Sequence, residues 1–394
     1  MKRAISISGG GPAVGLSLGT LKRLEEAGIH FDVWALSCIG AWLGVAYNQA
    51  EEGRGLEAAE GFFRKIFRDD RTYEKFPIPS VFAPDFIEEA QRTVNYMMSP
   101  SSYQGLILPD KIVEAAETTL SMLTDPGKWN RGDVNSWMLN QVMAVNPASR
   151  FMTSMIYKNE SKGLARIFYP DSSFLKALDF ERLNDPGKPF LYYNAYNITQ
   201  QRLDLFANRP MPGYGPVTAQ TLCACSALPY IEEPVQWGDD VYCEGATVDT
   251  VNFRRLIEDH PELEEIWVSR VLDHHQIRSP ENLYDALNNL IMLFASTVSE
   301  NNVAAFRRHA EELGWKGKIV EIAVSAEINY DWSHSNLDHS IAEGYAAADA
   351  VVVEYERERA IAESSNVVRL SPFPAQMSDA EVSMAIAAEC ALRG

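Results

Sequence analysis

Apolar and polar positions change period in a regular way along this chain. Ala4–Ser8 alternates like a buried strand, three glycines follow, and Leu16, Leu18, Leu21 and Leu24 then mark an amphipathic helix that ends at Gly28. Phe31–Ser37 reads as the next strand and Ile39–Glu51 as the helix that leaves it. Two parallel strands joined by a helix make a right-handed βαβ unit, with the site expected at the strands' carboxyl ends. From residue 53 to about 190 the pattern is less regular. It predicts helices over 55–67, 86–97, 110–123 and 133–143, separated by turns such as Lys75-Phe-Pro-Ile-Pro-Ser80. The aromatics and methionines of this stretch (Phe62, Phe63, Phe67, Tyr96, Met97, Met98, Trp137, Met138 and Met143) are expected to pack between helices. If the substrate is apolar, its wall and lid are expected to come from here.

The sheet resumes at Pro189. Phe190–Tyr196 and Arg202–Asn208 read as a hairpin, Val217–Ala227 as a helix, and Asp240–Cys243 as a strand that delivers Glu244. Further strands are predicted at Glu265–Val271 and Lys318–Val324, with long helices at about 280–313 and 339–363. Ser378-Asp-Ala-Glu381 has the form of a capping box for a terminal helix. The expectation is an α/β fold: a three-layer α/β/α sandwich with a mostly parallel central sheet and a largely helical insertion. One domain is expected over 1–363, with the insertion at about 53–190 and a tail with a terminal helix over 364–394.

Composition narrows the partners. The 394 residues carry a net charge of −19, which argues against nucleic acid and against electrostatic docking on anionic lipid, since both need clustered Lys and Arg. The five cysteines, at 38, 223, 225, 243 and 390, form no Cys-x-x-Cys pair and read as reduced thiols. Cys223 and Cys225, two apart on a predicted helix, point to different faces, so no metal is expected there. The first apolar run is only a strand long and no stretch approaches a transmembrane span, so a cytoplasmic location is expected. Oligomeric state leaves no mark in the sequence.

Two segments carry candidate chemistry. Gly9-Gly-Gly11 can turn backbone N–H groups into one small space, as an oxyanion hole requires. In Leu36-Ser-Cys-Ile-Gly40 a strand passes into a helix at Cys38, a nucleophile elbow that lifts one side chain clear of the sheet and aims a helix N-terminus at it. That setting is expected to stabilise a thiolate. Ser37 precedes the elbow residue and should point to the opposite face.

The order of these parts, followed by Ala224-Cys-Ser-Ala-Leu-Pro229 and Tyr242-Cys-Glu-Gly-Ala246, resembles the patatin-like phospholipases and acyl hydrolases over roughly residues 4 to 50 and 190 to 350. Those enzymes pair a Gly-x-Ser-x-Gly elbow with the aspartate of an Asp-Gly-Gly or Asp-Gly-Ala segment. Here the nucleophile position holds Cys38, the preceding glycine is Leu36, Gly40 is retained, and Glu244 stands for the aspartate. The loop Gly9–Gly15 is one residue longer than usual and lacks the family's basic residue.

The resemblance implies a covalent acyl-Cys38 intermediate with Glu244 as dyad base. Gly10 and Gly11 would be the oxyanion donors, with Ile39 N–H as a third. Asp249 is the fallback carboxylate. His274, His275, His334 and His339 form no clear triad. The expected activity is hydrolysis of a lipid ester or thioester, without cofactor or metal. One alternative is an acyltransferase or cyclase working through the same thioester. The other is a non-catalytic lipid- or protein-binding relative. Acyl length and head group stay open.

Overall fold

The computed structural model describes residues 1–77, 84–167, 172, 174–253, 255–324, 326, 329 and 331–367. The capping box at 378–381, the terminal helix and Cys390 lie outside the described residues. In chain order the first elements are β1 (Arg3–Ile7), α1 (Val14–Glu26), β2 (Val33–Leu36) and α2 (Ile39–Asn48). A helical stretch follows: α3 (Gly55–Ile66), α4 (Asp70–Lys75), α5 (Phe86–Met98), α6 (Pro109–Thr124), α7 (Arg131–Trp137) and α8 (Pro147–Lys158). Then come β3 (Gly163–Ala165), β4 (Phe190–Asn197), β5 (Arg202–Ala207), β6 (Tyr214–Pro216), α9 (Ala219–Cys225), β7 (Tyr230–Glu232), β8 (Val235–Trp237) and β9 (Asp240–Glu244). The chain continues through α10 (Leu256–Asp259), β10 (Glu265–Arg270), α11 (Leu283–Glu312), β11 (Lys318–Ala323) and α12 (His334–Val367).

The expected architecture is present: a mostly parallel central sheet between helical layers. Its main path runs β11-β10-β1-β2-β4-β5-β6, and β9 and β8 join through β4. From β11 to β4 every pairing is parallel, as strand–helix–strand crossovers require. Both faces of these strands are covered, so β1 and β2 are buried almost throughout. The serines of β1 are buried too and discharge their hydroxyls onto backbone, Ser6 to Val251 O and the following Ser8 to Ser269 O at 3.1 Å. On one face α1 lies against α12. A Cβ on Gly19 would stand 2.0 Å from Ile341 O, and one on Gly344 2.0 Å from Leu16 O, so glycines let the two backbones touch.

Strand β4 decides where the site forms. Its first half, Phe190–Tyr193, pairs with β2, whereas Ala195–Asn197 pair antiparallel with β9. The place beside β4 that β2 vacates when its chain turns off at Ser37 is therefore filled by the end of β9. Leu36 is opposite Tyr193 and Glu244 opposite Ala195, two residues further along the same strand.

Two expectations are corrected here. The stretch after 143 holds another helix, α8, capped by Asn146, whose Oδ1 accepts from Ala148 and Ser149 N–H. And while Phe62, Phe63 and Phe67 are buried as expected, Met97, Met98, Met138 and Met143 are exposed. Helical spacing located the apolar stripes correctly but could not say which side of each helix would face the protein.

Candidate active site

Cys38 joins β2 to α2 with φ 49° and ψ −125°, a backbone conformation a β-carbon-bearing residue rarely adopts. The strain is the elbow itself. It swings the side chain out of the strand's alternation and leaves the first N–H of α2, that of Ile39, donating to the sulfur, while the next two go to Ser37 O and Cys38 O. The helix then passes so close to β1 that a Cβ on Gly40 would lie 2.5 Å from Ile7 O. That explains the retained glycine. The missing one is compensated one helical turn later: a Cβ on Gly44 would sit 2.2 Å from Leu36 Cδ1, so Gly44 makes room for the leucine.

Ser37 points the other way, as expected from the alternation. It is fully buried, and its hydroxyl donates to Asp249 O at 3.4 Å. Asp249 is held in the same layer. Its Oδ1 accepts from Asn252 N–H at 2.9 Å and its carbonyl from Asn194 Nδ2 at 2.8 Å. Asn252 Nδ2 in turn donates to Leu36 O at 3.0 Å, fastening the end of β2. The fallback carboxylate is thus part of the elbow's support.

Glu244 is buried and hydrogen-bonds the sulfur of Cys38. Its own N–H donates to Ala227 O at 2.9 Å, and a Cβ on Gly245 would lie 2.5 Å from Asn194 Oδ1, so its backbone is fixed on both sides. Burial pushes the Glu244 carboxyl up to about 7, partly opposed by the hydrogen bond from Cys38. Burial and the Glu244 carboxylate together push the Cys38 thiol well above its ordinary value, against the smaller pull of the Ile39 N–H. The expectation of a stabilised thiolate is therefore corrected. One helix-terminal N–H does not outweigh desolvation and an adjacent acid, so the thiol is favoured over the thiolate.

The glycine loop packs against this pair. Neither the Gly10 nor the Gly11 N–H donates to a backbone carbonyl among the described residues. Gly11 has φ 51° and begins the turn Gly11–Ala13 that leads into α1. Gly10 lies against Val271 and Leu272, whereas Gly9 touches Cys38: a Cβ there would be 2.6 Å from Cys38 Cβ and 3.5 Å from its sulfur. Ile39, the third expected donor, already has the sulfur as its acceptor. Gly9→Ala should cost about 1–3 kcal/mol by overpacking a backbone that cannot yield, and should lower turnover with it. Gly61→Ala, in open space within α3, serves as the control and should gain up to about 1 kcal/mol from helix propensity. Denaturant unfolding of both variants checks this.

Other groups of this shell were not singled out from sequence. The Cys38 N–H donates to the sulfur of Cys225, a buried thiol also pushed up by desolvation. Trp42 Nε1 on α2 donates to Ser226 Oγ at 2.9 Å and locks the elbow helix to the same segment. Glu232, at the end of β7, is buried with Oε1 unpartnered and the Ile167 N–H on its carboxyl. Burial pushes this carboxyl well above the usual range, and it lines a cavity of about 190 Å³ with Arg166, Gln220 and Gln236. A larger cleft of about 620 Å³ lies in the helical stretch, among Tyr96, Leu106, Leu139 and Tyr157. Neither is lined by Cys38 or Glu244. Only the pairing of β7 with β3 could have revealed Glu232's burial, and both strands are three residues long. His274 is paired with Glu300, His275 with Asp273 and His334 with Arg64 O, away from the sulfur. Among the described residues no group of side chains could hold a metal ion.

A mostly parallel sheet with helices on both faces and a strained elbow at a strand's carboxyl end make the frame on which α/β hydrolytic enzymes are built. The family model of the patatin-like phospholipases matches residues 5–257, and the chain belongs to that family. Lipid ester hydrolysis is the activity this membership supports. No curated protein matches the sequence. Among solved structures the chain is similar to VipD from Legionella pneumophila, at 13% identity over 90% of this chain and 67% of that one, with a TM-score of 0.38. It is also similar to the type III effector ExoU, at 8% identity over 89% and 53% of the two chains, with a TM-score of 0.24. No helix among the described residues is long and apolar enough to cross a membrane.

Proposed function

We propose that this protein hydrolyses a lipid ester or thioester through an acyl-Cys38 intermediate, with Glu244 as the only proton carrier. The observation that supports this is the hydrogen bond between the Cys38 sulfur and a buried carboxyl raised to about 7. A base near neutrality can take a proton and return it in the same turnover. As sulfur attacks the carbonyl carbon, the thiol proton passes to Glu244, and the oxyanion is held by the free N–H groups of Gly10 and Gly11. Collapse breaks the bond to the leaving group, which takes the proton from Glu244. Water then attacks the thioester and gives a proton to Glu244. The carbon–sulfur bond breaks, and the thiol is restored from the same carboxyl.

The ester scope, the oxyanion donors and a cytoplasmic site of action belong to this proposal. So does one domain over 1–363, followed by a tail. The test is intact-protein mass spectrometry after mixing with a short-chain acyl thioester, quenched in acid. An acyl adduct on the Cys38 peptide is expected. Turnover without an adduct there, or an adduct on Cys225, would reject the assignment.

A further inference from the structure

Helix α5 is mounted with its polar side inward. Glu88, Glu89 and Arg92 lie on the face turned to the protein, where Arg92 pairs with both glutamates and with Glu233, and Arg166 pairs with Glu88 and Asp85. On the same side the Tyr96 hydroxyl bonds Ser154. The opposite stripe, at i, i+7 and i+11, is Ile87, Val94 and Met98, and none of the helix's residues is buried. Ile87 is 85% exposed and Met98 76%. Helix α6 buries Ala115 and Met122 but also leaves Ile112, Val113, Leu120 and Leu123 exposed, and α8 exposes Ile156. An amphipathic helix normally does the reverse, because its apolar stripe gains most from leaving water. Here a network of charges holds the helix on the body so that the apolar stripe faces out.

Charge says what this surface fits. Residues 86–158 hold seven acidic and six basic residues, a net of −1 in a chain of −19. Nearly all the excess negative charge lies elsewhere, so an anionic bilayer would repel the body while a zwitterionic one would not. The anchor lies next to the site. Glu233 follows Glu232, on the segment from Ala227 whose first carbonyl receives the Glu244 N–H.

We infer that the outward stripes of α5, α6 and α8 form a docking face for a zwitterionic lipid–water interface, seating the protein where its acyl substrate is held. This deepens the hydrolase reading and rests on it. Lying in the interface plane, such a face binds by buried apolar area and without a spanning segment.

The experiment compares the full chain with the triple variant Ile87→Glu, Val94→Glu, Met98→Glu. Flotation with phosphatidylcholine vesicles, with and without a third of phosphatidylglycerol, reads docking. Turnover of a water-soluble short-chain thioester reads chemistry. The wild type is expected to float with neutral vesicles and more weakly with anionic ones. The variant is expected to lose about tenfold or more of that binding while keeping its thermal midpoint and its short-chain turnover. No flotation of the wild type overturns the docking face and leaves the hydrolase reading standing if the thioester is still cleaved. Flotation without cleavage has the opposite meaning. A wild-type dimer in size-exclusion chromatography that the variant abolishes assigns the face to self-association and rejects the lipid.

Discussion

Cys38→Ala loses at least about four powers of ten in kcat, because a covalent route has no substitute for its nucleophile. Ser37→Ala keeps turnover within about tenfold. The two side chains stand on opposite faces of the chain: Cys38 bonds Glu244, while the Ser37 hydroxyl is spent on Asp249 O. The serine variant should instead lose stability, by about 1 kcal/mol for a buried hydrogen bond. Steady-state kinetics on one thioester and urea unfolding of both proteins separate the effects. A dead Ser37→Ala beside an active Cys38→Ala would place the nucleophile one residue earlier than the elbow geometry does.

Glu244→Gln should gain stability as it loses activity. In the folded protein the carboxyl titrates at about 7 and in the unfolded chain at its ordinary 4.5, so between those values the native state holds the extra proton. Stability from this group is whole below pH 4.5 and falls as pH rises through 7, by about 3 kcal/mol in all. Glutamine carries no charge to desolvate. The variant is therefore expected to match wild type near pH 4 and to exceed it at pH 8. Activity moves the other way. The wild-type kcat/KM should climb with pH to a plateau above about 7, as the carboxylate becomes free to accept the thiol proton. The variant should lack that limb and lie about two to four powers of ten lower at pH 8. Thermal midpoints at both pH values, with the pH–rate profile, measure this. An unchanged acidic limb in Glu244→Gln would falsify its role as base.

Local order was legible where short-range physics sets it. Three glycines after an apolar strand, then a second strand ending at Cys38 and Gly40, gave the βαβ unit and the elbow. The resemblance to the patatin-like enzymes, carried here by Glu244-Gly-Ala246, added the acid. Helix boundaries over the insertion came out close for the same reason, since i, i+3 and i+4 periodicity needs no partner. Leu36 in place of glycine was readable only as a departure. Its remedy, Gly44, lies across a contact made when α2 folds back beside β2.

By itself, then, the sequence determined the elements, their order and the chemical type of each candidate group. The tertiary structure decided the electrostatics and the directions. Desolvation and the neighbouring Glu244 turned an expected thiolate into a thiol, because both act only once distant segments fold beside the partly buried Cys38. Gly9 entered the shell through the β1–β2 pair, Cys225 through α9 and Glu232 through the β3–β7 pair, all contacts that only the folded chain makes. The same holds for α5. Its sequence gives two faces, and which one meets water was settled by Glu233 and Arg166, well over sixty residues away along the chain. Periodicity records that a helix has a wet and a dry side; only its neighbours assign them.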